Sequence, residues 1–146
     1  MIKTRYLLAA LALLFTVLTV LSFYFYWQEN GALLSKQSQH ASAAGTAFGK
    51  GKNYSACLNQ VIEKSTECRD TNCTIELKHF LVACTEQAEY DAAACEKAPA
   101  SQDYLGKVSW SVSKCRKAKV KNGNCTNVIN EMPLLCEKAQ FVPPVD

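Results

Sequence analysis

Residues 57–84 read CLNQVIEKSTECRDTNCTIELKHFLVAC, and the cysteine spacing in this stretch decides the fold. Cys57 and Cys68 lie 11 positions apart, as do Cys73 and Cys84. Eleven residues turn an α-helix by ~1100°, about 20° past three full turns. Each pair therefore shares one helical face, with a cysteine near each end. Apolar residues follow the same faces: Tyr54, Leu58, Val61 and Ile62 beside Cys57, and Leu77, Phe80 and Leu81 beside Cys73. Between the runs lies Arg69-Asp70-Thr71-Asn72, read as a turn with Asn72 as the N-cap of the second helix. Helices joined by so short a turn run antiparallel. That brings Cys57 opposite Cys84 and Cys68 opposite Cys73, a helical hairpin stapled at both ends.

Residues 115–136, CRKAKVKNGNCTNVINEMPLLC, read as a loose second copy. Cys115-Arg116 precedes Asn124-Cys125-Thr126 as Cys68-Arg69 precedes Asn72-Cys73-Thr74, and Cys136 again follows its predecessor by 11 positions. The turn is longer and ends on Asn122-Gly123, a strong turn signal. The expected pairs are Cys115–Cys125 and Cys95–Cys136. Cys95 ends the second helix or opens the connection that holds Pro99. The layout is four helices, about 54–68, 73–96, 102–119 and 125–138. Pro133 interrupts the last near 130–133 because it lacks a backbone donor and crowds the preceding turn. The third is the least regular: Val108, Trp110 and Val112 alternate and also fit a short strand. The cysteine pattern resembles the stapled hairpins of coiled-coil-helix-coiled-coil-helix proteins, whose paired cysteines are separated by nine residues where these are separated by ten.

All eight cysteines lie at or beyond residue 57, and an even set of this density points to disulfides in an oxidising compartment. The N-terminal sequence supplies the route. Residues 7–27, LLAALALLFTVLTVLSFYFYW, hold no charge, Pro or Gly. At ~1.5 Å per residue they span about 31 Å, enough for a hydrocarbon core. Tyr24, Phe25, Tyr26 and Trp27 form an aromatic belt at the far end, and Lys3 and Arg5 favour a cytoplasmic N-terminus within residues 1–6. The reading is an uncleaved, single-pass signal anchor in the inner membrane, with residues 54–142 in the periplasm (hairpins 54–90 and 95–138). A cleaved signal peptide is the rival, but its apolar core is shorter and its Ala-x-Ala site follows sooner than Ala41-Ser42-Ala43 does here. The mitochondrial intermembrane space also suits stapled hairpins. Ala9, Ala12, Thr16 and Thr19 share one face of the anchor, a packing surface for a partner helix or a second copy. Residues 28–53, rich in Ser, Ala, Gly and Gln, read as a flexible linker, with a short helical continuation as the alternative and His40 solvated. Residues 143–146 are a tail.

Net charge is +3, and beyond residue 28 the balance is 14 bases to 13 acids, which excludes a charge-driven nucleic-acid binder. Lys114, Arg116, Lys117, Lys119 and Lys121 form a basic run, a candidate patch for anionic lipid headgroups or an acidic protein. Glu86, Glu89, Asp91, Glu96 and Asp103 form an acidic stretch. No two cysteines stand closer than Cys68 and Cys73, and His79 lies off the cysteine face, so neither zinc nor a redox C-x-x-C is expected. P-loop, dinucleotide, nucleophile-elbow and H-E-x-x-H signatures are missing, so no cofactor is expected. The pairs Glu63/Glu67 and Glu76/His79 read as ordinary polar helix faces. Of the sequons at Asn53, Asn72 and Asn124, the last two read as helix caps. The expected function is a non-catalytic, membrane-anchored accessory or assembly subunit that binds a membrane-protein complex or a second copy. The alternatives are a periplasmic inhibitor or immunity protein against a hydrolase, or a carrier of lipid or another small apolar ligand.

Overall fold

The computed structural model describes residues 4–141, with side chains for 6–140. Lys3, the side chain of Arg5 and the tail 143–146 lie outside that range. Six helices follow in order: α1 Thr4–Gly49, α2 Tyr54–Ser65, α3 Thr71–Gln87, α4 Tyr104–Lys117, α5 Gly123–Ile129 and α6 Met132–Phe141. Among the described residues there is no strand, only an isolated bridge between Asn53 and Glu89. Two compact units divide at Lys36–Gln37.

The first unit is the N-terminal part of α1. Among the described residues it is the one helix long and apolar enough to cross a membrane, and none of that apolar window is buried. Phe15 is 74% exposed and Trp27 68%. In water such a surface is strongly unfavourable, because each apolar side chain of this size costs about 1.5–3 kcal/mol to leave exposed.

The second unit holds all four disulfides. It begins with the last part of α1: over 28–49 the chain has the helical continuation given as the alternative, not the flexible linker expected over 28–53. The stretch is helical through Gly49, and its Ser, Ala and Gln residues do not break the helix. Helix residues four apart share a face, and here that face is Gly45 and Gly49. A Cβ on Gly45 would collide with the carbonyl oxygen of Phe80, and one on Gly49 with that of Cys84. Glycine is needed at both positions because the backbones of α1 and α3 touch there. Phe48 adds a ring contact to Phe80, centroids 5.7 Å apart. The helix then turns at Gly51, whose φ of +66° suits glycine. Glu89 donates its N–H to Lys52 (2.8 Å) and accepts from Tyr54 (3.0 Å), tying this turn to the end of α3.

α2 buries Tyr54, Cys57, Leu58, Val61 and Ile62. It ends at Ser65 rather than near 68, so Cys68 lies beyond the helix and does not share its face with Cys57. Its N-cap is Asn53, whose side chain accepts from the N–H of Ala56 at 2.9 Å. α3 starts earlier than expected. Its N-cap is Asp70, not Asn72, because the cap acceptor must reach the N–H three residues on, and Asp70 Oδ1 takes that of Cys73 at 2.7 Å. The helix also ends at Gln87 rather than near 96, since Ala88 turns extended (ψ 150°). Past this end the Asp91 carboxylate accepts from the N–H and hydroxyl of Ser55 (both 2.7 Å) and from the N–H of Ala94 (2.9 Å), holding the outgoing chain on the start of α2. Cys95 consequently lies in a run of turns rather than on a helix.

The strand alternative over 108–112 does not hold. α4 runs through those residues, with Trp110 Nε1 donating to the Glu96 carbonyl at 3.0 Å and the Ser111 hydroxyl to Asn130 Oδ1 at 2.6 Å. α5 is capped by Asn122, not Asn124; Asn122 Oδ1 accepts from the N–H of Cys125 at 3.1 Å. The side-chain amides of Asn122 and Asn124 instead donate to the carbonyls of Ser65 (2.6 Å) and Cys68 (2.7 Å), latching the second half of the domain onto the end of α2. The break expected near 130–133 falls between Ile129 and Met132, and Pro133 sits in the first turn of α6, where no intrahelical donor is required.

The disulfides are Cys57–Cys84, Cys68–Cys73, Cys95–Cys136 and Cys115–Cys125, with Cα–Cα distances of 5.9, 5.6, 5.8 and 6.2 Å. Among the described residues no cysteine is free. α5 packs on α2 and α3 as well as on α4, so both halves share one core centred on Val61, Leu81, Val128, Ile129 and Met132.

Candidate interaction surfaces

Ala9, Ala12, Thr16 and Thr19 are all exposed on α1. The Thr16 hydroxyl donates to the carbonyl of Ala12 (2.9 Å) and that of Thr19 to Phe15 (2.8 Å). Both hydroxyls are thus satisfied within the helix, which lets small polar residues face an apolar medium at little cost.

The structure divides the basic run. Arg116, Lys119 and Lys121 line one cleft of about 660 Å³ between the end of α4 and the start of α5, together with Val112, Val120 and Thr126. Lys114 instead folds its ammonium over the Trp110 ring, 5.1 Å from the centroid. Lys117 is exposed and lines no part of the cleft.

The end of α4 shows how the three cations are gathered. Lys119 donates its N–H to the carbonyl of Arg116 and Val120 to that of Cys115, each at 2.9 Å. This is the Schellman closure of a helix, in which the first residue past the cap is left-handed and usually glycine. Here it is Lys119, at φ +62°. The left-handed conformation costs a non-glycine residue about 1–2 kcal/mol. We expect Lys119→Gly to raise the unfolding free energy by about 1 kcal/mol, seen as a higher denaturation midpoint. An unchanged or lowered midpoint would show that the lysine is not strained.

The acidic stretch is dispersed into structural roles. Asp103 caps α4 through the N–H of Gly106 (2.9 Å), and Glu96 pairs with Lys97 at 3.9 Å on the surface. Burial pushes the Asp91 carboxyl up, but hydrogen bonds from Ser55, Ala94 and Ala93 outweigh it and hold the group below the usual carboxylate range. A depressed folded value means that Asp91 stabilises the fold above the unfolded value near 3.9, and that this contribution is lost as pH falls through the folded value. Asp91→Ala should therefore cost about 1–2 kcal/mol at pH 7, with the gap to wild type closing at acid pH. Parallel urea titrations at pH 7 and pH 3 measure this, and a pH-independent gap would exclude the carboxylate as its source. Hydrogen bonds from the Ser101 hydroxyl and N–H likewise hold Glu137 below its ordinary range. Burial, with Glu86 and Tyr90 nearby, raises Tyr54.

The sequence pair Glu76/His79 is split. Glu76 and Glu67 line one cleft of about 540 Å³ with His40 and Lys64, whereas His79 lines another of about 570 Å³ with Glu86 and the Lys78–Glu131 ion pair (2.9 Å). Glu63, exposed on α2, lines neither. Among the described residues, no group of three or more His, Cys, Asp or Glu is placed to hold a metal ion. Asn72 is exposed on the first turn of α3, while Asn53 and Asn124 are engaged through their side chains.

Sequence reasoning missed the Gly45–Gly49 seam. The Gly-x-x-x-Gly spacing was its signal, but the surrounding Ser and Ala made it look like a tether. No family model matches the chain, and neither a curated protein nor a solved structure shows detectable similarity to it.

Proposed function

We propose that this chain is a single-pass membrane protein whose disulfide-stapled helical domain, outside the cytoplasm, serves a non-catalytic accessory or assembly role by binding a protein partner. Two observations on one chain carry the reading: an apolar stretch of α1 whose side chains are all exposed, and a domain locked by four disulfides. Exposed apolar surface of that extent needs a lipid or protein cover. Four bridges fit an oxidising compartment, such as the periplasm. The basic residues Lys3 and Arg5 favour an N-terminus that stays in the cytoplasm. The face of Ala9, Ala12, Thr16 and Thr19 is suited to a second helix, from a partner or from another copy.

The test is native extraction of tagged chain in mild detergent, followed by mass spectrometry of what co-purifies. The reading expects a membrane protein in fixed stoichiometry. Recovery of the chain alone would overturn it, and recovery with a single soluble hydrolase would replace it with the inhibitor reading.

A further inference from the structure

We infer that the cleft at the α4–α5 turn is the partner-docking site and takes an acidic peptide segment with aliphatic side chains between its carboxylates. The inference rests on the protein-binding role proposed above and names the chemistry of the partner. Arg116, Lys119 and Lys121 line the cleft, and no acid stands among the described residues that do. An uncompensated set of three cations around a concavity focuses potential and draws a negatively charged ligand. Val112 and Val120 supply an apolar wall, which a purely ionic ligand would leave uncovered. Lys119 adds a second observation. The left-handed turn that closes α4 holds Lys119 on the cleft wall with Arg116 and Lys121. The site is concave, so an extended chain segment enters it, whereas a flat bilayer meets the protruding cations of a convex patch.

The probe is a short fluorescein-labelled peptide of glutamate and leucine, titrated by anisotropy into the full chain in neutral detergent. A glutamine–leucine peptide and phosphatidylglycerol vesicles serve as comparisons. We expect the acidic peptide to bind, its affinity to fall steeply with salt, and Arg116→Glu/Lys121→Glu to weaken it at least tenfold. Lys119→Gly, which relaxes the turn and so keeps the fold, should weaken it several-fold. Lys50→Glu/Lys52→Glu, outside the cleft, should leave it within twofold. Equal binding of the acidic and neutral peptides would overturn the inference, as would an unaffected cleft variant. Cleft-dependent binding of vesicles without the peptide would assign the site to a membrane instead. A partner that co-purifies equally with wild type and Arg116→Glu/Lys121→Glu leaves the accessory role standing and removes the cleft as its contact. Absence of any partner removes the accessory role, while the titration still reads the cleft.

Discussion

Replacing Cys57 and Cys84 together with alanine lowers the stability of the helical domain by about 4 kcal/mol, about twice the effect of losing Cys68–Cys73. Two contributions add. The bridge closes a loop with a sequence separation of 27, and restoring that freedom to the unfolded chain is worth about 3.5 kcal/mol on the loop-entropy relation. Both cysteines are also fully buried beside Val61 and Leu81, so their removal takes packed atoms out of the core. Cys95–Cys136 closes a longer loop, a separation of 41, worth about 3.9 kcal/mol on the same relation; Cys136 is buried and Cys95 only partly so, and loss of this bridge should rank close to that of Cys57–Cys84. Cys68–Cys73 closes only five positions, and its loss should cost about 2 kcal/mol. Calorimetric unfolding of the full chain in detergent measures the series, and a lower midpoint without Cys68–Cys73 than without Cys57–Cys84 would contradict the burial argument.

The second large effect falls on residues that carry no side chain. Gly45→Ala and Gly49→Ala each add a single methyl, which meets backbone carbonyl oxygen rather than a flexible side chain. Neither Phe80 nor Cys84 has room to move, since α3 is held at Cys84 by the bridge to Cys57 and at its start by the bridge at Cys73. Each substitution should cost about 1–3 kcal/mol as overpacking, and the pair, four residues apart in one contact, should not add fully. The end of α1 should then undock from α3, and protease cleavage within residues 37–51 should speed up before the rest of the domain opens. Gly31→Ala is the control. Its added Cβ meets only the Trp27 ring at 3.7 Å, and in a helix interior the change should be neutral or stabilising by up to about 1 kcal/mol. Equal behaviour of Gly31→Ala and Gly45→Ala would contradict the seam.

These two cases also show what the sequence made legible. The pairs expected from the spacing are the pairs in the structure, but the shared helical face behind them holds only for Cys73 and Cys84: α2 ends before Cys68, and Cys125 and Cys136 stand on different helices. Pro133 announced its own break. Side-chain hydrogen bonds were not readable at the same level. Asp70 and Asn122 cap where Asn72 and Asn124 were expected, because each cap is fixed by backbone geometry two residues before the visible motif. Asp91 holds the chain beyond α3 by reaching Ser55, 36 positions earlier, and no local pattern announces that contact. The tether over 28–53 was misread for a related reason. Composition describes how a segment behaves alone, while its last turns pack on α3 at Gly45, Phe48 and Gly49. The basic run was visible, but its division was not: the turn at Lys119 puts three cations on one cleft and leaves Lys114 on Trp110.

The central claim is an uncleaved anchor carrying an oxidised domain outside the cytoplasm. Protease added to intact spheroplasts expressing tagged chain, followed by alkaline carbonate extraction and blotting of non-reduced membranes, tests it most directly. The account predicts a full-length chain in the carbonate-resistant pellet, its domain open to external protease and its eight cysteines all blocked to thiol reagents. A shorter chain released into the soluble fraction, or a domain shielded from protease with free thiols, would contradict it.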